Sequence, residues 1–105
     1  MTVYLVIMNI LLNANDAIET NGIIKISTEL KNKYIYIHIE DNGCGIKKKN
    51  IKNIFDPFYT TKSELQGTGL GLSTAKNIIE SFEGTINVIS IPGKQTIFTI
   101  VLPGI

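Results

Sequence analysis

The most informative parts of this sequence are two short glycine-rich stretches, DNGCG at residues 41–45 and GTGLGL at residues 67–72. Each has glycines where a backbone can approach a ligand closely, and the second opens a segment with helical periodicity. The N–H groups of a glycine-rich turn and the positive end of the following helix suit a phosphate group. The carboxylate of Asp41 can accept a hydrogen bond from an exocyclic amine. The pair therefore predicts a nucleotide pocket built from two distant parts of the sequence.

Length and charge narrow the class of protein. The chain has 105 residues and a net charge of +1, so we expect one domain and find no indication of nucleic acid or an anionic membrane as partner. All ten Lys and Arg residues are lysines, so a lysine must supply any such cationic contact with a phosphate.

Cys44 is the single cysteine, which excludes an internal disulfide and fits a reducing compartment. The apolar start MTVYLVIMNILL is shorter than the ~20 residues of a membrane span and predicts a helix buried on most of its circumference.

The hydrophobic pattern predicts two helices, two hairpins and a central loop. The expected elements are a helix over 2–20, strands over 23–30 and 34–40, a short helix within 46–54, a loop over 55–69, a helix over 70–82, and strands over 85–91 and 96–102. This order favours an α+β fold, a two-layer sandwich with the helices packed on one face of a mostly antiparallel sheet.

Four blocks in order resemble the ATP-binding catalytic domain of bacterial sensor histidine kinases, within the GHKL superfamily. They are NILLNANDA at residues 9–17, DNGCG at 41–45, FDPFYTTK at 55–62 and GTGLGLSTAKNIIE at 67–80. The third block is similar to that of nitrogen-regulation and sporulation kinases. The resemblance covers essentially the whole chain, 1–105, and implies that the family's first strand and helix are missing at the N-terminus.

The first block implies the metal site. Asn9 and Asn13 share one helix face because they are four residues apart. The resemblance implies that Asn13 binds Mg²⁺ and that Asn9 supports the site, and an amide oxygen is a suitable ligand for that ion. Asp16 either reaches the waters of the metal or faces solvent.

The second block and the end of the chain imply the adenine site. By resemblance Asp41 binds the adenine amino group, although Asp-Asn-Gly alone is a common turn sequence. Gly43 and Gly45 let the base lie against the backbone. Thr96 lies where the family often has a Gly-x-Gly-Thr turn, but Gln95 replaces the second glycine here.

The third and fourth blocks imply a lid and the phosphate site. The block contains Phe55, Pro57, Phe58 and Tyr59, which can anchor a loop on the core, form the hinge of a lid, or do both. The lid is expected to be mobile without nucleotide. Lys62 is implied to contact the β- or γ-phosphate, although a lone loop lysine is more often solvated. The remaining residues implied to bind the nucleotide are Thr61, Gly67, Thr68, Gly69, Leu70 and Gly71.

The resemblance implies a function in two-component signalling. The expected role is to bind Mg²⁺-ATP and donate its γ-phosphoryl group to a histidine on a separate dimerisation domain, with a response regulator downstream. Asn9 occupies the position of the glutamate base of related ATPases, and an amide cannot act as a base. The alternatives are a non-catalytic ATP- or ADP-sensing module and, less favoured, a DNA-repair or chaperone ATPase.

Three further expectations concern the rest of the molecule. His38, the one histidine, lies in a strand and is expected to be structural rather than the phosphoacceptor. The domain is expected in the cytoplasm, whether or not the parent kinase is anchored in a membrane. Apolar surface left uncovered by the missing elements is expected to drive homodimer formation or strand exchange.

Overall fold

The fold is a single sheet with helices on one face, as the sequence predicts. The computed structural model describes residues 2–18, 21–56 and 71–104. The helices are α1 (Thr2–Ala17), α2 (Lys48–Ile51) and α3 (Gly71–Ser81), and the strands are β1 (Ile24–Lys31), β2 (Tyr34–Asp41), β3 (Thr85–Ile91) and β4 (Gln95–Pro103). The predicted α+β class is confirmed.

The four strands form one antiparallel sheet in the order β1-β2-β4-β3. Asn32 and Lys33 connect β1 to β2 with φ values of 52° and 69°. Positive φ at both central residues is what a two-residue type I′ hairpin requires. This short turn fixes the register of the first hairpin, in which Ile26 lies opposite Ile39.

Alternation along the strands separates a helix-covered face from an open face. On the covered face, Ile39 of β2 lies opposite Phe98 of β4, and both are buried. Helices α1 and α3 contribute to the same hydrophobic cluster. The buried members of that cluster are Val6, Ile10, Ile37, Ile39, Ile54, Ala75, Ile79, Ile86, Phe98 and Ile100.

Helix α1 is at least partly buried at most of its described positions, as its apolar sequence predicts. Val6, Ile10 and Ala14 are buried, but Leu5 and Leu12 are 51% and 55% exposed. Together with Asn15, these two leucines form the exposed side of the helix, and the other described side chains of α1 are buried or partly buried. No helix in the described ranges has the length and apolar character needed to cross a membrane.

Helix boundaries differ from the predicted ones by one to a few residues. Helix α1 ends at Ala17 rather than residue 20, and α2 has only four residues. Helix α3 ends in a Schellman motif: Glu83 N–H donates to Glu80 O at 3.0 Å, and Gly84 N–H donates to Ile79 O at 2.9 Å. The left-handed residue of this motif is Glu83, with φ 62°. The glycine follows it because a Cβ at Gly84 would lie 2.5 Å from the Val101 carbonyl oxygen.

Candidate functional site

A row of polar side chains crosses one end of the sheet on the helix-covered face. Asp41 ends β2, and Thr96 near the start of β4 lies directly opposite it. Ser90 of β3 lies opposite Thr96 on its other side. Asp41 and Thr96 are each 4% exposed. The structure therefore brings together the two residues predicted at the adenine end and adds a third.

The Asp41 carboxylate is buried with one backbone donor. Gly43 N–H donates to Asp41 Oδ1 at 2.8 Å, an arrangement that the Asp-Asn-Gly turn produces locally. Burial raises the pKa of the Asp41 carboxyl above its ordinary value; the Gly43 hydrogen bond opposes this rise and the negative charge of Glu40 adds to it. A buried carboxylate with spare lone pairs favours a ligand that donates hydrogen bonds.

Ser90 connects three segments at this end of the sheet. Its Oγ accepts a hydrogen bond from Ile46 N–H at 2.7 Å and donates to the carbonyl oxygen of Gln95 at 2.9 Å. It also lies 3.1 Å from Thr96 Oγ1. Since its one proton goes to Gln95, the Thr96 hydroxyl donates to Ser90 and keeps its lone pairs for another partner. The loop after β2 and the predicted adenine contact are thus held by one hydroxyl.

The sequence reasoning missed Ser90. The signal was nevertheless present, because alternation puts Ser90 on the same face of β3 as Ile86 and Val88. A small polar residue on the apolar face of a strand needs a hydrogen-bonding partner. A small polar residue at such a position, close to a turn, therefore predicts a hydrogen bond between the sheet and a neighbouring loop.

Gly45 has a packing role in the loop after β2. Its φ is 72°, and a Cβ there would collide with the carbonyl oxygen of Ile91. In the same loop, the Cys44 carbonyl oxygen accepts a hydrogen bond of 2.6 Å from the N–H of Gly93. The loop is therefore fixed against the β3–β4 turn, while contacts of Gly43 and Gly45 with a base stay predictions.

The two helices meet where the glycine-rich turn ends. Asn9 Nδ2 of α1 donates to the carbonyl oxygen of Gly71, the first residue of α3, at 3.1 Å. Asn13 lies one turn further along α1 and is partly buried. Asp16 also lies in α1, but its side chain is outside the described part of the structure. Asn9 thus positions the start of α3, which agrees with its predicted supporting role.

Six of the predicted nucleotide-binding residues lie outside the described residues: Thr61, Lys62, Gly67, Thr68, Gly69 and Leu70. Among the residues that the structure does describe, no group of three or more His, Cys, Asp or Glu side chains could hold a metal ion. The predicted ligand Asn13 offers an amide oxygen, a donor that Mg²⁺ accepts together with waters and phosphate oxygens.

The lid-hinge block begins on the core. Phe55 packs edge-on against Phe98, with ring centroids 6.3 Å apart, and Lys76 Nζ of α3 lies 5.6 Å from the centroid of Phe55. Phe55 therefore anchors this segment to both the sheet and α3. The rest of the predicted hinge block, from Pro57 onward, and the predicted lid after it lie outside the described residues.

His38 lies on the open face of the sheet, away from the polar row. Its Nδ1 lies 3.1 Å from Thr99 Oγ1, and its Nε2 lies 3.4 Å from Glu29 Oε1. Its ring also stacks on that of Tyr36. The contacts with Thr99 and Glu29 cross to the neighbouring strands, and the stacking on Tyr36 lies within β2. Together they give His38 a structural role, as the sequence predicts.

We predict that Ser90→Ala destabilises the domain by about 1–3 kcal/mol, because the Ile46 N–H and the Gln95 carbonyl lose their partner. Ser27→Ala, in an exposed strand position, is the matched control and should change the free energy of unfolding by less than about 0.5 kcal/mol. Urea unfolding measures both. Equal effects of the two substitutions would contradict the role given to Ser90.

We predict that Asp41→Asn stabilises the domain at neutral pH. Burial raises the folded-state pKa of Asp41 above the ordinary value of 3.8, so folding favours the protonated carboxyl. This stabilisation is fully present below pH 3.8 and is lost as the pH rises through the folded-state pKa, where the buried group becomes charged. Asparagine stays neutral at every pH. The gain from Asp41→Asn should therefore be larger at about pH 7 than at about pH 3.5. Urea unfolding of both proteins across this range, with exposed Glu80→Gln as control, checks it; a gain independent of pH would contradict it.

The sequence matches a known family model over nearly its whole length. The model describes the histidine kinase-, DNA gyrase B- and HSP90-like ATPases, and it matches residues 1–104. This match agrees with the four blocks, the sheet order and the polar row at the sheet end.

Curated relatives are named as sensor kinases. The chain is 48% identical over 99 residues to the signal transduction histidine-protein kinase AtoS of Escherichia coli K12, covering 93% of this chain and 16% of AtoS. It is 42% identical to the sensor histidine kinase ZraS of the same strain, covering 93% of this chain and 21% of ZraS. It is 36% identical to sporulation kinase C of Bacillus subtilis, covering 93% of this chain and 22% of that kinase. The chain thus spans about a fifth of the length of these relatives.

Solved structures agree with the fold. A mycobacterial sensor histidine kinase, MprB, superposes with a TM-score of 0.84 at 25% identity, covering 95% of this chain and 70% of that one. The catalytic domain of histidine kinase ThkA superposes with a TM-score of 0.80 at 35% identity, covering 93% of this chain and 63% of that one. The chain belongs to the histidine kinase-, DNA gyrase B- and HSP90-like ATPases, and its sequence and fold are those of a sensor histidine kinase catalytic domain.

Proposed function

We propose that this chain binds Mg²⁺-ATP and donates the γ-phosphoryl group to a histidine on a separate domain in two-component signalling. The observation that carries the proposal is the buried Asp41 carboxylate opposite Thr96, at the sheet end where the family match and the sequence blocks predict adenine. The remaining steps follow from the residues around it.

Hydrogen-bonding groups at the purine end favour adenine. Asp41 accepts from Gly43 on one oxygen, which leaves acceptor capacity for an exocyclic amine. The Thr96 hydroxyl donates its hydrogen bond to Ser90 Oγ, so the Thr96 oxygen also presents acceptor lone pairs to a ligand. Adenine offers an amine here, whereas guanine offers a carbonyl that both groups repel. The amine also offsets part of the cost of burying the Asp41 charge.

The phosphate end lies at the start of α3. Asn9 holds the Gly71 carbonyl, which fixes the first turn of this 11-residue helix. A helix N-terminus with a glycine-rich approach favours an anion. We assign the triphosphate to this end, with Gly67, Thr68, Gly69 and Leu70 in the preceding turn and Thr61 and Lys62 as further contacts.

Asn13 is the proposed metal ligand, with Asp16 either on the waters of the ion or in solvent. Bound Mg²⁺ would neutralise charge that develops on the phosphates. Asn13 lies one helical turn from Asn9, and therefore on the α1 face that contacts the start of α3. This position supports a role close to the phosphate end.

The residues favour transfer to a nitrogen nucleophile over hydrolysis. Asn9 uses its amide as a donor to Gly71, so this position offers no group that accepts a proton from water or a hydroxyl. A histidine nitrogen on the partner domain can attack the γ-phosphorus with its own lone pair. The bond from that phosphorus to the β–γ bridging oxygen breaks, a P–N bond forms and ADP leaves. The chain's contribution is positioning and electrostatic stabilisation.

The partners and location follow from this role. We propose the histidine-bearing dimerisation domain of the same parent kinase as phosphoacceptor and a response regulator as the next partner. His38 does not serve as acceptor, because its ring bonds Thr99 and Glu29 on the open face of the sheet. The domain would act in the cytoplasm, where ATP is available.

Nucleotide binding is the first prediction from this proposal. The native chain should bind ADP and a non-hydrolysable ATP analogue and discriminate against GDP. Asp41→Asn should weaken ADP binding by about 30-fold or more, because a charge-assisted hydrogen bond is lost. Calorimetry checks this, with Glu40→Gln as control: Glu40 neighbours Asp41 but lies on the opposite sheet face. Equal affinity of native chain and Asp41→Asn would contradict the adenine site.

Phosphoryl transfer separates the kinase from the alternative, a non-catalytic ATP- or ADP-sensing module. With Mg²⁺-ATP and a supplied histidine-bearing helical domain from a sensor kinase, the native chain should produce acid-labile phosphohistidine. Asn13→Ala should lower the transfer rate by about 100-fold, because the metal loses its protein ligand. Asn15→Ala, exposed on the same helix, is the matched control. Tight ADP binding without any transfer would favour the sensing module.

A further inference from the structure

Four of the ten lysines lie within six residues, in the segment that leads from the loop after β2 into α2 and past its end. They are Lys47, Lys48, Lys49 and Lys52, and all four are exposed. The sequence has no aspartate or glutamate from residue 42 to residue 55. Within the described part of the chain, no ion pair involves any of these lysines. These four residues, which we call the α2 lysine surface, therefore form a concentration of positive charge.

Contacts before and after the α2 lysine surface hold it beside the proposed nucleotide pocket. Before it, the Ile46 N–H donates to Ser90 Oγ at 2.7 Å, in the polar row at the proposed adenine end. After it, Phe55 packs on Phe98 of β4. The Phe55 ring centroid also lies 5.6 Å from Lys76 Nζ of α3, the helix that begins at the proposed phosphate end. The lysines thus lie on a short segment that is fixed to the walls of the pocket.

The described carboxylates around the pocket carry the opposite charge. Asp41 and its neighbour Glu40 lie at the proposed adenine end, and Asp56 directly follows Phe55. A nucleoside di- or triphosphate carries several negative charges, so these carboxylates repel it as it approaches. The whole chain has a net charge of only +1, so its charge outside the α2 lysine surface is net negative. This surface is therefore placed to offset the repulsion.

We propose that the α2 lysine surface attracts the phosphates of the incoming nucleotide and speeds its association without contacting the bound ligand; this inference rests on the proposed nucleotide-binding function. Exposed charges interact over about 10 Å at 0.1 M salt and about 30 Å at 0.01 M, well beyond hydrogen-bond distance. Clustered charge of one sign beside a cleft raises association rates in this way. The dissociation rate does not depend on these lysines, because no bond to them breaks when the nucleotide leaves.

Stopped-flow association of a fluorescent, non-hydrolysable ATP analogue with the full chain in Mg²⁺ tests the proposal. At about 20 mM salt, joint Lys48→Gln and Lys49→Gln substitution should lower the association rate constant about threefold. Joint Lys48→Glu and Lys49→Glu substitution should lower it about tenfold, because the change in charge is twice as large. At about 300 mM salt, screening should bring both variants within about twofold of the native chain. The dissociation rate constant should stay within about twofold throughout.

Joint Lys31→Glu and Lys33→Glu substitution is the matched control, because it changes the net charge by the same amount far from the pocket. Lys31 lies opposite Tyr34, at the other end of β2 from Asp41 and about 23 Å along the strand. We expect this control to change the association rate constant by less than about twofold. Far-UV circular dichroism checks that each variant folds.

The outcomes separate this inference from the proposed function. A native chain that does not bind the ATP analogue would overturn both. Binding with an association rate constant that neither lysine pair changes at low salt would overturn the inference alone. An equally large effect of the control would also overturn it, because the cause would then be net charge and not this surface. Faster dissociation from both lysine variants would overturn it as well, since it would show direct contact with the bound nucleotide.

Discussion

The site depends on burying a carboxylate at the end of a central strand. Asp41 lies where β2 meets β4 in register with Thr96, and the same pairing puts Ile39 against Phe98 in the core. The packing of Ile39 against Phe98 thus sets the register of β2 with β4, and this register places Asp41 opposite Thr96. Because Gly43 is the one hydrogen-bond donor to the buried Asp41 charge among the described residues, the arrangement costs stability unless a ligand supplies another donor. We interpret that cost as the reason why the site can select a hydrogen-bond donor.

Two further contacts make the site one unit. Ser90 joins the loop after β2 to both β3 and β4, and Asn9 joins α1 to the start of α3. The first contact lies at the proposed adenine end and the second at the proposed phosphate end. A substitution of Ser90 or Asn9 is therefore expected to weaken nucleotide binding by shifting the residues that contact the ligand, and not by removing a ligand contact itself. Gly45 completes the first contact, because only a residue without a side chain fits beneath the Ile91 carbonyl.

The sequence predicted the elements well because their signals are local. Alternation in β2 and the apolar stripe of α3 identified both, and the spacing of Asn9 and Asn13 gave their shared face. Ser90 was missed because its importance arises from pairing across β3 and β4, which no local pattern contains. Helix α3 was predicted to end at residue 82 and ends at Ser81, but no local pattern showed that Glu83 takes the left-handed position and leaves Gly84 for the close approach to Val101. Lys62 and the glycine-rich turn stay predictions, because they lie outside the described residues.

The central claim is that adenine lies against Asp41 and phosphate lies at the start of α3. A crystal structure of the chain with Mg²⁺ and a non-hydrolysable ATP analogue tests it most directly. The account predicts the exocyclic amine within about 3 Å of an Asp41 carboxylate oxygen, and phosphate oxygens at the N-terminus of α3. A nucleotide bound elsewhere, or one whose base faces away from Asp41, would contradict it.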